Sequence, residues 1–152
     1  MFKYPQPLKI HKKIAQLQID LKPARENLDT ESGKVKVEDG CVFFSLAKAL
    51  DDKSGKMDWH NKILMKIEHG DIAKIVVGVR NGKTVDLFHK SSEVKSTTLK
   101  VEAGQNAGTF KLTMGVADGS YKSMSSIYLN TEDMYIMFNL LEASIPLTAG
   151  WC

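Results

Sequence analysis

An α+β fold of two four-stranded antiparallel sheets, each followed by a helix (ββββα repeated twice), is what the 152-residue sequence predicts. Three observations carry it. Short apolar–polar alternations recur between Gly, Asp, Asn and Ser turns. The period shifts to helical spacing twice, near Asp71 and near Thr131. Each shift follows a run of four alternating segments. The length suits one domain, residues 1–152, with related halves at about 10–80 and 84–152.

The first strand is expected over Ile14 to Leu21, with Ala15, Leu17, Ile19 and Leu21 on a dry face and Gln16, Gln18 and Asp20 on a wet one. Pro23 to Gly33 reads as a polar loop. Lys34 to Val37 and Cys41 to Leu46 flank Asp39-Gly40, a pair suited to a hairpin turn. After a loop over Asp51 to Lys56, Trp59 to Ile67 makes the fourth strand, with Lys62, Leu64 and Lys66 alternating against Ile63, Met65 and Ile67. Ile72, Ile75, Val76 and Val79 then fall at helical spacing, with Asp71 able to cap the helix start. In the second half, Thr84 to Lys90, Thr97 to Ala103, Thr109 to Val116 and Ser126 to Leu129 alternate again. A final helix starts near Asn130 or Thr131 and is expected to stop before Pro146. It is apolar over more of its circumference than one sheet could cover, which fits either a deeply buried helix or one that also packs on other subunits.

Composition excludes more than it selects. No apolar run reaches the length of a membrane span, and Met1-Phe2-Lys3-Tyr4-Pro5 has the form of neither a signal nor a transit peptide, so a cytoplasmic location is expected. Cys41 and Cys152 form neither a disulfide framework nor a metal-ligand spacing. The four histidines show no paired ligand spacing, and no nucleophile elbow or phosphate-cradling glycine loop occurs, so no catalytic residue, metal or cofactor is assigned. The net charge of +3 is mild but uneven: residues 1–76 carry 14 basic against 11 acidic side chains, and residues 77–152 carry 7 of each. An anionic partner for the first half and a merely solvated lysine-rich surface both fit that distribution.

Several segments together resemble a known family. His11-Lys12-Lys13-Ile14-Ala15-Gln16-Leu17 sits where the Whirly proteins have Lys-Gly-Lys-Ala-Ala-Leu, with Lys13 in place of the glycine. Asp58-Trp59-His60-Asn61-Lys62 resembles their Tyr-Asp-Trp-Ser-Arg-Lys, and Leu87-Phe88-His89 their Phe-Phe-His, without the Asp-Pro that follows it. Lys95 to Val101, Gly108 to Val116, Ile127-Tyr128-Leu129, Glu132, Ile145-Pro146-Leu147 and Gly150-Trp151 continue the order. The resemblance to the Whirly family, related in fold to the Positive Cofactor Four coactivator, implies a single-stranded-DNA-binding protein with little sequence preference. It also implies a homo-oligomer, a tetramer through its helices, that protects or organises exposed strands in replication, recombination, repair or transcription. A bacterial, archaeal or phage source, and so a nucleoid or host-cytoplasm setting, would be consistent with it.

Single-strand binding needs cations that track phosphates and flat or apolar groups against which bases lie. Candidates on the first sheet are Lys12, Lys13, Gln16 and Gln18, with Lys62 and Lys66 around Leu64. Lys100, Lys111 and Thr113 offer equivalent positions on the second. Aromatic candidates are Trp59, Phe88 and Tyr121, with Tyr128 beside them; Trp151 is expected to pack on the end of the last helix. RNA, melted DNA as the target of a transcription cofactor, and a protein partner are the alternative ligands.

Overall fold

The computed structural model describes residues 6–151, so Met1 to Pro5 and Cys152 lie outside the described residues. Sheet 1 has the order β1-β2-β5-β6, from β1 (Leu8–His11), β2 (Ala15–Lys22), β5 (Cys41–Lys48) and β6 (Ile63–Ile67). A two-stranded ribbon of β3 (Arg25–Leu28) and β4 (Val35–Glu38) is inserted between β2 and β5. Helix α1 (His69–Arg80) follows. Sheet 2 then runs β7 (Val85–Lys90), β8 (Lys95–Ala103), β9 (Phe110–Asp118) and β10 (Tyr121–Leu129), and α2 (Thr131–Thr148) closes the chain.

All pairings within the sheets are antiparallel. The alternation read from the sequence decides which face is buried. Ala15, Leu17, Ile19, Phe44, Leu46, Ile63 and Met65 of sheet 1 pack against Leu99, Val101, Leu112, Met114, Ile127 and Leu129 of sheet 2. The two outward faces therefore lie on opposite sides of the stack. The helices pack on each other, α1 against β7 and β8, α2 against β5 and β10. No helix among the described residues is long and apolar enough to cross a membrane.

Antiparallel sheets and two helices appear as expected, but the strict ββββα repeat does not, because the first half carries six strands. Leu8–His11, too short to stand out in the sequence, is the outer strand of sheet 1. Val35–Glu38, expected in that sheet, pairs instead with Arg25–Leu28, read as loop. Asp39-Gly40 is therefore no hairpin turn: Gly40 donates its N–H to the carbonyl of Thr148, and a Cβ there would collide with the backbone of Lys22 and Ala24. Trp59–Asn61 is a single 3-10 turn ahead of β6, capped by Asp58.

Both helix boundaries also differ from expectation. Helix α1 begins two residues before Asp71, at an N-cap, Glu68, whose side chain makes no capping hydrogen bond. Asp71 instead is hydrogen-bonded to His89 Nε2 at 2.8 Å, tying the first turn to β7. Helix α2 has a full capping box between Asn130 and Asp133. It runs through Pro146, and the terminal turn is held by other bonds. Thr148 Oγ1 donates to the Ser144 and Ile145 carbonyls, and Trp151 N–H to the Pro146 carbonyl, with Gly150 at φ +75° closing a Schellman end. The free carbonyls of Leu147 and Thr148 accept from Ala24 and Gly40, hanging the ribbon on the helix end. The Trp151 side chain is not packed on α2 as expected; it is 87% exposed.

Candidate nucleic-acid interface

The outward face of sheet 1 is a groove built on strand β5. Cross-strand register aligns Lys9, Gln18, Ser45 and Leu64 in one row, and Asp20, Phe43 and Lys66 in the next. Ser45 and Ala47 are small and buried, so they form a floor. Gln18, Lys22, Phe43, Trp59, Lys62 and Leu64 form its sides, and the groove continues past Leu21, Lys22 and Phe43 toward Arg25 and Lys66. Lys22 Nζ lies 5.1 Å from the centre of the Phe43 ring. Lys22 and Lys62 have no carboxylate partner among the described residues, and Lys66 has only the exposed Glu68 at 3.3 Å. Such cations are available to phosphate. At the groove's end, burial pushes the Cys41 thiol up from its ordinary value against the opposing pull of Lys66 and Lys22.

Sheet 2 presents the matching face in different chemistry. Phe88, Thr98, Gly115 and Met124 form one row; Asp86, Lys100, Thr113 and Ser126 form the next. Thr113 and Ser126 share a hydroxyl–hydroxyl bond of 2.8 Å. Lys111 Nζ sits 5.9 Å from the Tyr128 ring centre, and Lys100 lies 3.3 Å from Glu102. Phe88, Met124 and Tyr128 stand exposed on this face.

Of the residues proposed from sequence, Gln16, Gln18, Trp59, Lys62 and Lys66 gather on the sheet 1 face, and Phe88, Lys100, Lys111 and Thr113 on the sheet 2 face. Gln16 is engaged with His11 Nδ1, and Gln18 donates to Asp20. Three are placed elsewhere. Lys12 does not share the wet face of the first strand: it lies in the β1–β2 turn, and its ammonium is 2.5 Å from Asp133 at the start of α2. Lys13 is exposed in the same turn. Tyr121 opens β10 rather than preceding it, at a position of the parity opposite to Met124 and Tyr128, so it does not join the outward row.

Lys9, Lys22, Phe43 and Met124 were not singled out from the sequence. Lys9 lies on the unrecognised β1. Phe43 sits inside the continuous apolar run Cys41–Leu46, where periodicity cannot tell the inward from the outward side. Met124 is the one large apolar residue among polar neighbours, a signal that parity with Ser126 and Tyr128 could have supplied. No group of three His, Cys, Asp or Glu side chains among the described residues could hold a metal ion.

Comparison with known proteins bears on this arrangement. The family model described as Whirly transcription factor matches residues 10–137, a span that runs from the end of β1 through both sheets and α1 to the first turns of α2. The chain belongs to the Whirly family. No curated protein is significantly similar in sequence. Among solved structures, the Whirly fold recurs in WHY1 of Arabidopsis thaliana, with a TM-score of 0.86 at 18% identity, covering 99% of this chain and 89% of that one. WHY3 of Arabidopsis thaliana gives 0.85 at 17%, covering 99% and 92%. The plant transcriptional regulator PBF-2 gives 0.81 at 19%, covering 99% and 94%. At these identities the likeness is one of backbone. The side chains of the two outward faces are this Whirly protein's own.

Proposed function

We propose that this protein binds single-stranded DNA with little sequence preference, as an oligomer, and serves to protect or organise exposed strands. The observation that carries the reading is the pair of outward sheet faces, each combining lysines with exposed apolar side chains. Lys62 and Lys66 stand around Leu64 on one; Lys100 and Lys111 stand with Phe88, Met124 and Tyr128 on the other. A duplex hides its bases and offers only phosphates to such a face, whereas a single strand offers both. Membership of a family described as transcription factors supports a nucleic-acid ligand.

Assembly is supported by the helix pair. Val77 of α1 and Tyr135, Ile136 and Leu140 of α2 are exposed, and a largely apolar groove between α2 and sheet 1 is lined by Leu8, Leu21, Met137, Leu140 and Leu141. A face of this kind is covered in a stable soluble protein. A tetramer is the expected state, and a monomeric mass in solution at micromolar concentration would overturn it. The binding reading is tested by fluorescence anisotropy with a labelled strand of about 30 nucleotides and its duplex, at low and high salt. The expected result is tight, salt-sensitive binding to the single strand and much weaker binding to the duplex. Equal affinity for both, or none for either, would overturn it.

A further inference from the structure

Asp20 is a carboxylate set among the lysines of the sheet 1 groove, and it is not neutralised there. It shares the outward parity of Gln18 and Lys22 on β2, stands opposite Phe43 in cross-strand register, and lines the same open groove of about 760 Å³ as Lys22, Ser45 and Lys62. Glu68 and Glu102, which border the two outward faces, each have a lysine at 3.3 Å, Lys66 and Lys100. Asp20 has no cationic partner among the described residues. The side-chain hydrogen bond it does accept comes from the Gln18 amide, 2.9 Å from Oδ2. A carboxylate only accepts, so the Gln18 nitrogen must face it, which leaves Oδ1 free and the second N–H of that amide without a partner among the described residues. Asp20 is only partly buried, so this pair is open to a ligand in the groove. A phosphate is repelled by such a group; what a single strand can offer it is the N–H donors of an unpaired base.

We infer that Asp20, together with Gln18, reads the hydrogen-bonding edge of one unpaired base and favours guanine. The Watson–Crick edge of guanine carries two adjacent donors, N1–H and the N2 amino group, which match the two oxygens of a carboxylate. Beside them lies the O6 acceptor, which suits the spare N–H of Gln18. Adenine and cytosine offer one amino donor next to a ring nitrogen that accepts, and thymine offers one N–H between two carbonyls, so each of these sets a lone pair against the carboxylate. The inference rests on the proposed single-strand binding and adds to it a base preference at one place in the groove. The surrounding lysines make sequence-independent contacts, so the preference is a modest addition to an affinity governed by phosphate.

The test titrates three strands of about 30 nucleotides into the wild type and Asp20→Asn. One is oligothymidylate, one has deoxyguanosine at every third position, and one has deoxyinosine, which lacks the N2 amino group, in place of the deoxyguanosine. The spacing avoids the consecutive guanines of four-stranded folds. The wild type is expected to bind the guanine strand roughly tenfold more tightly than oligothymidylate, the order of one bidentate base contact, with the inosine strand between them. Asparagine matches aspartate in shape and still accepts from Gln18, so Asp20→Asn is expected to unfold at the wild-type temperature. It is expected to bind the guanine strand and oligothymidylate within about twofold of each other, and oligothymidylate at least as tightly as the wild type does, because a charge that repels phosphate is gone. The inosine comparison changes the ligand alone and carries the test if Asp20→Asn fails to fold. Equal affinity of the wild type for the guanine strand and oligothymidylate, or a guanine advantage that survives in Asp20→Asn, would overturn the base contact while leaving single-strand binding in place. Failure of the wild type to bind any of the three strands would overturn both.

Discussion

The two sheets share a strand order and differ almost entirely in what they show to solvent. Their inward faces are alike because each must fill the other's gaps: Phe44 and Leu46 of one sheet and Met114 and Leu112 of the other belong to one closed interior. Their outward faces carry no such constraint. One sets Lys22, Lys62 and Gln18 beside Phe43, Trp59 and Leu64 over a serine floor; the other sets the hydroxyls of Thr98, Thr113 and Ser126 beside exposed Phe88 and Met124. Packing fixes the scaffold, and the chemistry resides on the surfaces that packing leaves free.

The largest expected effect tests the shared interior. Phe44 is fully buried in sheet 1, and Phe44→Ala should cost about 3–5 kcal/mol by transfer and cavity terms. Urea unfolding followed by circular dichroism and by Trp59 and Trp151 fluorescence should give coincident transitions, since one core serves both sheets. Separate transitions, with only one shifted, would mean that the halves unfold independently.

A smaller contrast lies in the helices. Helix α2 has a reciprocal cap in Asn130 and Asp133, whereas α1 starts at Glu68 without one. Asn130→Ala should destabilise by about 1 kcal/mol, and Glu68→Ser should stabilise by roughly 0.5–1 kcal/mol. Both are measured by thermal or urea unfolding. A loss on Glu68→Ser would show that its exposed pairing with Lys66 at 3.3 Å outweighs the missing cap.

Much of the fold is legible in the sequence where alternation is strong. In β2 the residues Ala15, Leu17 and Ile19 are buried and Gln16, Gln18 and Asp20 are only partly so, as period two requires. Alternation failed as a guide at the ribbon. Arg25–Leu28 has no apolar pattern, and Val35 and Val37 alternate correctly yet are both exposed, because their partner strand belongs to no larger sheet. The passage of α2 through Pro146 was hidden for a different reason. Its last turn depends on side-chain bonds from Thr148 and on acceptance of bonds from residues 24 and 40, contacts distant in sequence.

The candidate site was legible to the extent that parity was. Lys62, Lys66, Lys100, Lys111 and Thr113 alternate with core residues on recognisable strands and reach the outward faces. Lys12 was misplaced because the turn after β1 breaks the period, which frees its ammonium to pair with Asp133.

The most direct test of the account is the salt dependence of oligothymidylate binding by the wild type and by the double variant Lys62→Ala/Lys66→Ala. A single strand releases about 0.7 counterion per neutralised phosphate, so removing both lysines should flatten the slope of log affinity against log salt by roughly 1.4. The account predicts that flattening together with weaker binding at low salt. An unchanged slope would place the strand somewhere other than the outward face of sheet 1 and would contradict it.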